Sequence, residues 1–279
     1  MVRRILVPLD GSDYSKVATR VAIRIAKKNK SVVIGLGVVD TEEIEESAIG
    51  AGIGSSYYAE HLQNFKKNEA LGKIKNFLDE FEDECNKGKV SYERYSKSGD
   101  PVDEIIEFGK TSDLIVTGLR TFFHFETTPE PGDTLKELLE SGVCPIFAVP
   151  EKNFRNSGKV LFAYDNSVSA AKAMKKYVQL IKSNPFVKKV YVLNVNDDLD
   201  ESNTILNNVE KYFKSHKLKV EKVRKVGKPR EEIVKFARDN NIITVVMGAY
   251  GNNGLQKMFF GRTSKNIIDE GTIPVFVYH

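Results

Sequence analysis

The sequence predicts an α/β protein built from two tandem doubly wound units, each with a five-stranded parallel sheet. Three observations support this prediction. A set of short segments occurs twice in the same order along the chain. Short apolar runs rich in β-branched residues alternate with amphipathic helical stretches. The chain has 279 residues and a hydrophobic fraction of 41%, which suits two globular domains of ordinary size.

The internal repeat is defined by four pairs of matching segments. Each pair shares its apolar pattern and its Asp, Gly or Pro positions, and the pairs are 5–12 with 160–167, 99–101 with 227–229, 114–118 with 244–248, and 144–149 with 273–277. Both members of the first pair end in Asp, one variable residue and Ser. We therefore predict domains at 1–150 and 159–279, joined by a polar linker at 151–158.

The first unit should alternate strands with helices. Strands are expected near residues 3–9, 31–39, 89–96, 113–118 and 145–149. Helices are expected over 15–29, where apolar residues recur every three or four positions, and over 102–111 and 133–141. Residues 41–64 have no counterpart in the second unit and contain the small-residue run GAGIGSS. We interpret them as a surface insertion, with a lid or a partner-binding segment as the alternative.

The second unit repeats this order. Its strands are expected near residues 159–164, 187–195, 218–226, 243–248 and 273–278. Their continuous apolar runs indicate parallel strands buried on both faces, joined by right-handed crossovers.

Charge divides the chain unevenly. Residues 1–150 hold 19 Lys and Arg against 25 Asp and Glu, a net −6, while residues 151–279 hold 23 against 13, a net +10. The opposite signs fit either two surfaces that help the halves dock or a second half that holds an anion. Its lysines are spread over several elements without interleaved aromatic residues, so nucleic-acid binding is not expected.

The second unit carries the features of a nucleotide site. In a doubly wound sheet, ligands bind beyond the carboxyl ends of the strands, where the strand order reverses. Asp165 follows the first strand, and the loop after the fourth strand holds Gly248, Gly251 and Gly261. Glycine lets a backbone approach a ligand closely, and a hydroxyl residue after Gly261 can cap the next helix, whose free N–H groups attract anions.

At this loop the sequence resembles the universal stress protein family. The family's nucleotide motif is G-x2-G-x9-G-[ST], and the three glycines match its spacing. The resemblance covers both halves and implies an adenine nucleotide alpha hydrolase-like, Rossmann-like fold that binds ATP or another adenine nucleotide, with Mg²⁺ as a companion ion. By position, it assigns nucleotide contacts to Asp165, Val195, Met247, Gly248, Gly251, Gly261, Arg262, Thr263 and Ser264.

Arg262 departs from the family pattern, which has Ser or Thr after the third glycine. An arginine here either adds a charge-assisted contact to phosphate or crowds the loop.

The first unit departs further from the family pattern. It keeps Gly118, but Thr121 replaces the second glycine and Asp133 follows the third. Acidic residues and two prolines fill its loop, so we expect this half not to bind ATP.

The leading hypothesis is a cytoplasmic, nucleotide-binding regulatory protein of the stress response, with one site in the second half. The alternatives are an interaction scaffold that binds no nucleotide, and a slow ATPase or adenylyl-transferring enzyme. No catalytic triad, P-loop lysine or zinc-ligand spacing is present in the sequence, so no catalytic or metal-ligating residue is assigned. Expected partners are the adenine nucleotide and a protein that the sequence does not name; no membrane partner is expected.

Family dimers commonly associate through their last strands. The resemblance therefore implies that residues 146–149 and 275–278 pair within the chain, and a homodimer is a further expectation.

The two cysteines should be unreactive. Cys144 lies at the start of a predicted buried strand, and Cys85 follows an acidic run that raises the pKa of its thiol.

Overall fold

The computed structural model describes residues 2–41, 44, 56–120, 123, 134–152, 158–181, 187–249 and 273–279. They form two compact units, Val2–Val143 and Cys144–His279. Each is a mostly parallel α/β unit in which strands and helices alternate, as the repeat predicts. Within the described ranges, no helix is both long and apolar enough to cross a membrane.

The unit Val2–Val143 contains a sheet with the strand order β3-β2-β1-β4, all parallel. Its elements, in chain order, are β1 Arg4–Pro8, α1 Asp13–Asn29, β2 Val32–Asp40, α2 Ser56–Gly88, β3 Ser91–Gly99, α3 Pro101–Gly109, β4 Leu114–Gly118 and α4 Thr134–Ser141. The first β-strand lies in the middle of the sheet. The chain therefore moves outward in one direction through β2 and β3 and then returns to the other side of β1 for β4.

We predicted no bounds for a helix between β2 and β3, where the structure has α2. It has 33 residues, and its first turns occupy residues that we had assigned to the insertion at 41–64. Its sheet-facing stripe includes Ile74 and Phe81, both buried. Two glycines of β2 lie beneath them: a Cβ atom added to Gly35 would lie 2.7 Å from the Phe81 ring, and one added to Gly37 would lie 2.5 Å from Ile74. These glycines let the helix pack closely on the strand.

Cys85 is buried on the same helix. Burial, with smaller contributions from Glu84 and Glu82, raises the pKa of its thiol to about 12. The expected direction is therefore confirmed, although burial rather than the acidic run is the largest cause. Cys144 is also buried, and its thiol lies 3.7 Å from the carbonyl oxygen of Pro145.

The raised pKa of Cys85 predicts a loss of stability in alkali. The unfolded thiol ionises near pH ~8.5 and the folded one does not until about pH 12, so the free energy of unfolding should fall as the pH rises between these values. The slope from this one group is at most about 1.4 kcal/mol per pH unit. Urea titrations at several pH values should show a shallower fall for Cys85→Val. Equal slopes would show that the thiol ionises equally in both states.

The unit Cys144–His279 contains a sheet with the order β5-β10-β9-β6-β7-β8. Its elements are β5 Ile146–Val149, β6 Lys159–Ala163, α5 Val168–Ile181, β7 Lys189–Val195, α6 Leu199–Ser215, β8 Val220–Lys225, α7 Pro229–Asp239, β9 Thr244–Gly248 and β10 Val275–Tyr278. All neighbours are parallel except β5 and β10.

The last strands of the two repeats pair with each other, as expected. β5 and β10 run antiparallel, with Phe147 opposite Phe276. The rings of Phe276 and Tyr177 pack at a centroid distance of 4.9 Å, which places α5 against this strand pair. The last strand of the first repeat thus lies in the second compact unit, because its partner is the last strand of the second repeat.

Aromatic contacts show which helix covers each face of this second sheet. Phe162 of β6 packs against Tyr177 of α5 and Phe213 of α6, at centroid distances of 5.8 Å and 5.0 Å. Tyr191 of β7 packs instead against Phe236 of α7, at 5.2 Å. Because side chains alternate between the faces of a strand, α5 and α6 cover one face and α7 covers the other.

Candidate functional site

The strand order of the second unit reverses at β6, which has β7 on one side and β9 on the other. Three of the predicted site residues lie at this point. Asp165 follows β6, Val195 ends β7 and Gly248 ends β9. Because parallel strands end at the same edge, the structure brings these residues to one rim of the sheet. This is where doubly wound folds place their ligands.

The loop after β6 carries Asp165 into helix α5. The carboxylate oxygen Oδ1 of Asp165 accepts a hydrogen bond from the backbone N–H of Ser167 at 3.0 Å, and Asn166 between them has a left-handed φ of 65°. The hydroxyl of Ser167 accepts from the N–H of Ala170 at 3.1 Å, which caps the start of the helix. Asp165 is therefore held at the rim by a defined turn and is half-buried there.

Gly248 makes a close backbone approach to the first turn of α5. A Cβ atom added to it would lie 2.4 Å from both the backbone nitrogen of Ala170 and the hydroxyl oxygen of Ser169. Packing alone thus requires glycine at position 248. The close approach brings the end of β9 against the start of α5, next to the turn that holds Asp165. The neighbouring side chain of Met247 is buried, so Met247 presents mainly its backbone at this rim.

Asn194 is a residue of this rim that sequence reasoning missed. It lies next to Val195 and is only 2% exposed. Its amide nitrogen Nδ2 donates to the carbonyl oxygen of Tyr164 at 2.8 Å, which ties the end of β7 to the end of β6. Burial and the nearby Asp165 carboxylate raise the pKa of Tyr164. The sequence feature that could have identified Asn194 is a single Asn within the otherwise apolar segment VYVLNV.

The corresponding turn in the first unit has the same backbone hydrogen bond but is more deeply buried. Oδ1 of Asp10 accepts from both the N–H and the hydroxyl of Ser12, at 3.0 Å and 2.6 Å, and Asp10 is only 7% exposed. Gly118, which matches Gly248, faces Tyr14: an added Cβ would lie 2.6 Å from the Cβ atom of Tyr14. In both units the carboxylate accepts from the N–H of the serine that caps the next helix, and the two turns differ in that Asp10 is buried whereas Asp165 is half-buried.

The rest of the predicted nucleotide loop lies outside the described residues. This holds for Gly251, Gly261, Arg262, Thr263 and Ser264, and for Thr121 and Asp133 of the first unit. Their roles stay predictions from the glycine spacing. Among the residues that the structure describes, no group of three or more His, Cys, Asp or Glu side chains is placed to hold a metal ion.

The sequence was compared with models of known protein families. The sequence model of the universal stress protein family matches residues 1–150 and 200–279, which is most of the chain. The chain belongs to the universal stress protein family. The second matched region includes the whole glycine loop of this universal stress protein. Residues 151–199, which carry Asp165 and Val195, fall between the two matched regions.

Several relatives match along most of their length. A universal stress protein of Synechocystis sp. is 24% identical over 297 aligned residues, which cover 99% of this chain and 100% of the relative. One from Methanocaldococcus jannaschii is 30% identical over 152 residues, covering 53% of this chain and 82% of the relative. The crystal structure of a universal stress protein from Archaeoglobus fulgidus has a TM-score of 0.73 at 22% identity, covering 99% of this chain and 97% of that one. The last match shows that the fold is shared.

Proposed function

We propose that this universal stress protein is an adenine-nucleotide-binding regulatory protein with one ATP-type site in its second unit. One observation carries the proposal. Asp165, Val195 and Gly248 lie at strand ends along the rim where the strand order reverses, and Gly248 is the first glycine of the G-x2-G-x9-G spacing. The resemblance to the family implies that the base end of the nucleotide lies near β6 and β7, and its phosphates near the glycine loop.

The second half also has the charge that a phosphate chain needs. Residues 151–279 carry a net +10, and the loop at 249–260 has neither Asp nor Glu. The loop of the first unit contains Glu126, Glu130 and Asp133 instead, and its Asp10 is only 7% exposed. We therefore assign binding to one half, and to the other a structural role.

The proposed role is regulatory rather than catalytic. Phosphoryl transfer needs acidic side chains for Mg²⁺ and a group that positions the nucleophile. The loop at 249–260 supplies no carboxylate, so any Mg²⁺ would be held mainly by the phosphates themselves. Arg262 favours a second candidate, a scaffold that binds no nucleotide, because a long side chain after Gly261 can crowd the loop.

Calorimetric titration of the purified chain with ATP tests the proposal and should give one site per chain. If the guanidinium of Arg262 reaches the phosphates, Arg262→Ala should weaken ATP binding by roughly 1.5–3 kcal/mol while adenosine binding changes little. The loss should shrink as salt rises, since charges are screened over about 10 Å at 0.1 M.

Other outcomes of this titration contradict parts of the proposal. Tighter ATP binding by Arg262→Ala would show that the arginine crowds the loop. No binding by the wild type, together with no nucleotide in the mass spectrum of the denatured protein, would favour the scaffold. Two equal sites would overturn the assignment to one half.

A further inference from the structure

Each unit has a strand whose outer edge pairs with no other described strand. It is β3 in the first unit and β8 in the second. An exposed edge offers a row of backbone N–H and C=O groups to any strand that can lie beside it. Proteins usually protect such an edge by keeping it short, by interrupting it with a proline or a bulge, or by placing repelling charges on it.

β3 is long and uninterrupted. It has nine residues, Ser91–Gly99, whereas strands most often have about five or six. Every residue from Ser91 to Gly99 has a register partner in β2, so no bulge breaks the strand, and it contains no proline. Most of its side chains are exposed. β3 is therefore a regular edge on which length and shape give no protection.

Three side chains on one face of β3 are held in place within the chain. They are Glu93, Tyr95 and Lys97, which share a face because side chains alternate along a strand. The guanidinium of Arg4 donates to both carboxylate oxygens of Glu93, at 3.1 Å and 3.0 Å, and the hydroxyl of Tyr95 donates to the same carboxylate at 3.1 Å. The ring of Phe108 packs against Tyr95 at a centroid distance of 4.9 Å and lies 5.7 Å from the ammonium of Lys97. Side chains fixed in advance lose less entropy when a partner arrives.

The same three side chains keep free surface and bonding capacity. The side chain of Glu93 is 34% exposed, Tyr95 is 37% exposed, and Lys97 is exposed. A carboxylate has about four acceptor positions, of which three are used here. Lys97 makes no ion pair with a described residue. One face of the edge thus presents an acceptor and a cation on either side of an aromatic ring.

This arrangement is complementary to itself. Two copies of one strand can pair antiparallel about a two-fold axis, and residues that lie opposite each other then share a face. The register that pairs all nine residues places Tyr95 opposite Tyr95 of the second copy. It also places Glu93 opposite Lys97 on both sides of the axis. Cross-strand aromatic pairs and opposite-charge pairs both stabilise a sheet.

Other registers of β3 with itself lose these pairs. With Arg94 on the axis, the two arginines face each other. With Ser96 on the axis, Glu93 faces Gly99. With Glu93 or Lys97 on the axis, a like charge lies directly opposite, which is destabilising. The charges therefore favour the same register that pairs the whole strand.

The edge strand of the second unit lacks this complementarity. β8 has six residues, VEKVRK. With Val223 on the axis, Lys222 faces Arg224, which offsets the favourable pair of Glu221 with Lys225. With Lys222 on the axis, the two lysines face each other. The charges of β8 oppose self-pairing, whereas those of β3 support it.

We propose that β3 is a docking edge for a second copy of this chain, which adds its own β3 antiparallel. The Tyr95 rings meet at the axis, and the Lys97 ammonium of each copy binds the Glu93 carboxylate of the other. The last strands β5 and β10 already pair with each other. The proposed contact is therefore a different edge from the last-strand edge through which family dimers associate, and it does not depend on nucleotide binding.

Charge reversal tests this edge. Lys97→Glu places a carboxylate opposite Glu93 on both sides of the axis, and Glu93→Lys places an ammonium opposite Lys97. Each variant alone should dimerise at least about tenfold more weakly than the wild type, because two attractive pairs become repulsive. Sedimentation equilibrium over a range of protein concentrations measures the dissociation constant.

Mixing the two variants separates strand pairing from damage to the fold. In a dimer of one Lys97→Glu chain and one Glu93→Lys chain, both cross-strand pairs again have opposite charges. The mixture should therefore associate about as tightly as the wild type. A fold damaged by either substitution, such as by loss of the contact between Arg4 and Glu93, would not recover on mixing.

A control variant and a second measurement locate the contact. Lys225→Glu makes the same charge change on β8, and it should leave the dissociation constant unchanged. Hydrogen exchange reports the edge itself. As the concentration of the wild type rises, backbone amides of β3 should exchange more slowly, and those of β8 should not change.

Several results would overturn the proposal. They are a wild type that stays monomeric at its highest soluble concentration, a dimer that neither charge reversal weakens, and a mixture that associates no more tightly than the separate variants. A dimer in which exchange from β3 does not slow would place the contact elsewhere on the chain.

Discussion

Replacing Gly251 by Asp is expected to abolish ATP binding, with a loss of affinity of more than about 100-fold. The substitution adds a side chain and a negative charge at the second glycine of the motif, where the phosphates approach the backbone. Two unit charges about 4 Å apart repel by about 4 kcal/mol at an effective dielectric constant of about 20, and each 1.4 kcal/mol is about tenfold in affinity. Calorimetry with ATP measures the loss.

Thr121→Asp provides the matched control, because Thr121 occupies the equivalent position in the first unit. It adds the same charge to the same chain, so ATP binding should be unchanged. Both variants should unfold at the wild-type urea concentration, since the sequence predicts a loop at each position. Loss of binding in Thr121→Asp, or binding retained in Gly251→Asp, would place the nucleotide in the first unit or outside both loops.

Gly248→Ala should lower the free energy of unfolding by roughly 3 kcal/mol. The added methyl group would lie 2.4 Å from the backbone nitrogen of Ala170 and 2.8 Å from the carbonyl carbon of Ser169. Backbone atoms cannot rotate away as a side chain can, so β9 and the first turn of α5 must separate. Urea denaturation followed by circular dichroism measures the loss.

Gly72→Ala is the opposite case and serves as its control. Gly72 lies within α2, and a Cβ atom added there meets nothing within 4 Å. Alanine favours a helix over glycine by about 1 kcal/mol, so this variant should be more stable by about that amount. If both glycine substitutions changed stability equally, the close approach of Gly248 to α5 would not be a determinant of folding.

Most of the fold was predictable because its signals are local or repeated. The apolar runs placed most strands within a few residues, although β3 and β8 are polar and largely exposed or half-buried, and the repeated segments revealed two units. The bounds of α2 were not predicted, and its rim-side half has polar residues on the face that would continue the buried stripe, so the helical periodicity is weak there. The pairing of β5 with β10 came from resemblance to the family and not from the residues of either strand.

Some residues of the candidate site were predicted from the sequence and others were found only in the structure. Asp165, Val195 and Gly248 were found from sequence, since strand ends, glycine spacing and a resemblance identify them. The hydrogen bond from Asn194 to the carbonyl oxygen of Tyr164 was not. These two residues are 30 positions apart in the sequence, and Asn194 alone has the look of an ordinary polar residue.

The sequence by itself determined the two α/β units, the half that keeps the nucleotide spacing, and the family. These depend on local periodicity and on residue order, which a chain displays before it folds. Only the tertiary structure decided that Gly248 is required by contact with α5, and that Asn194 ties the end of β7 to the end of β6. Such facts depend on strand register and helix packing, which bring distant residues together.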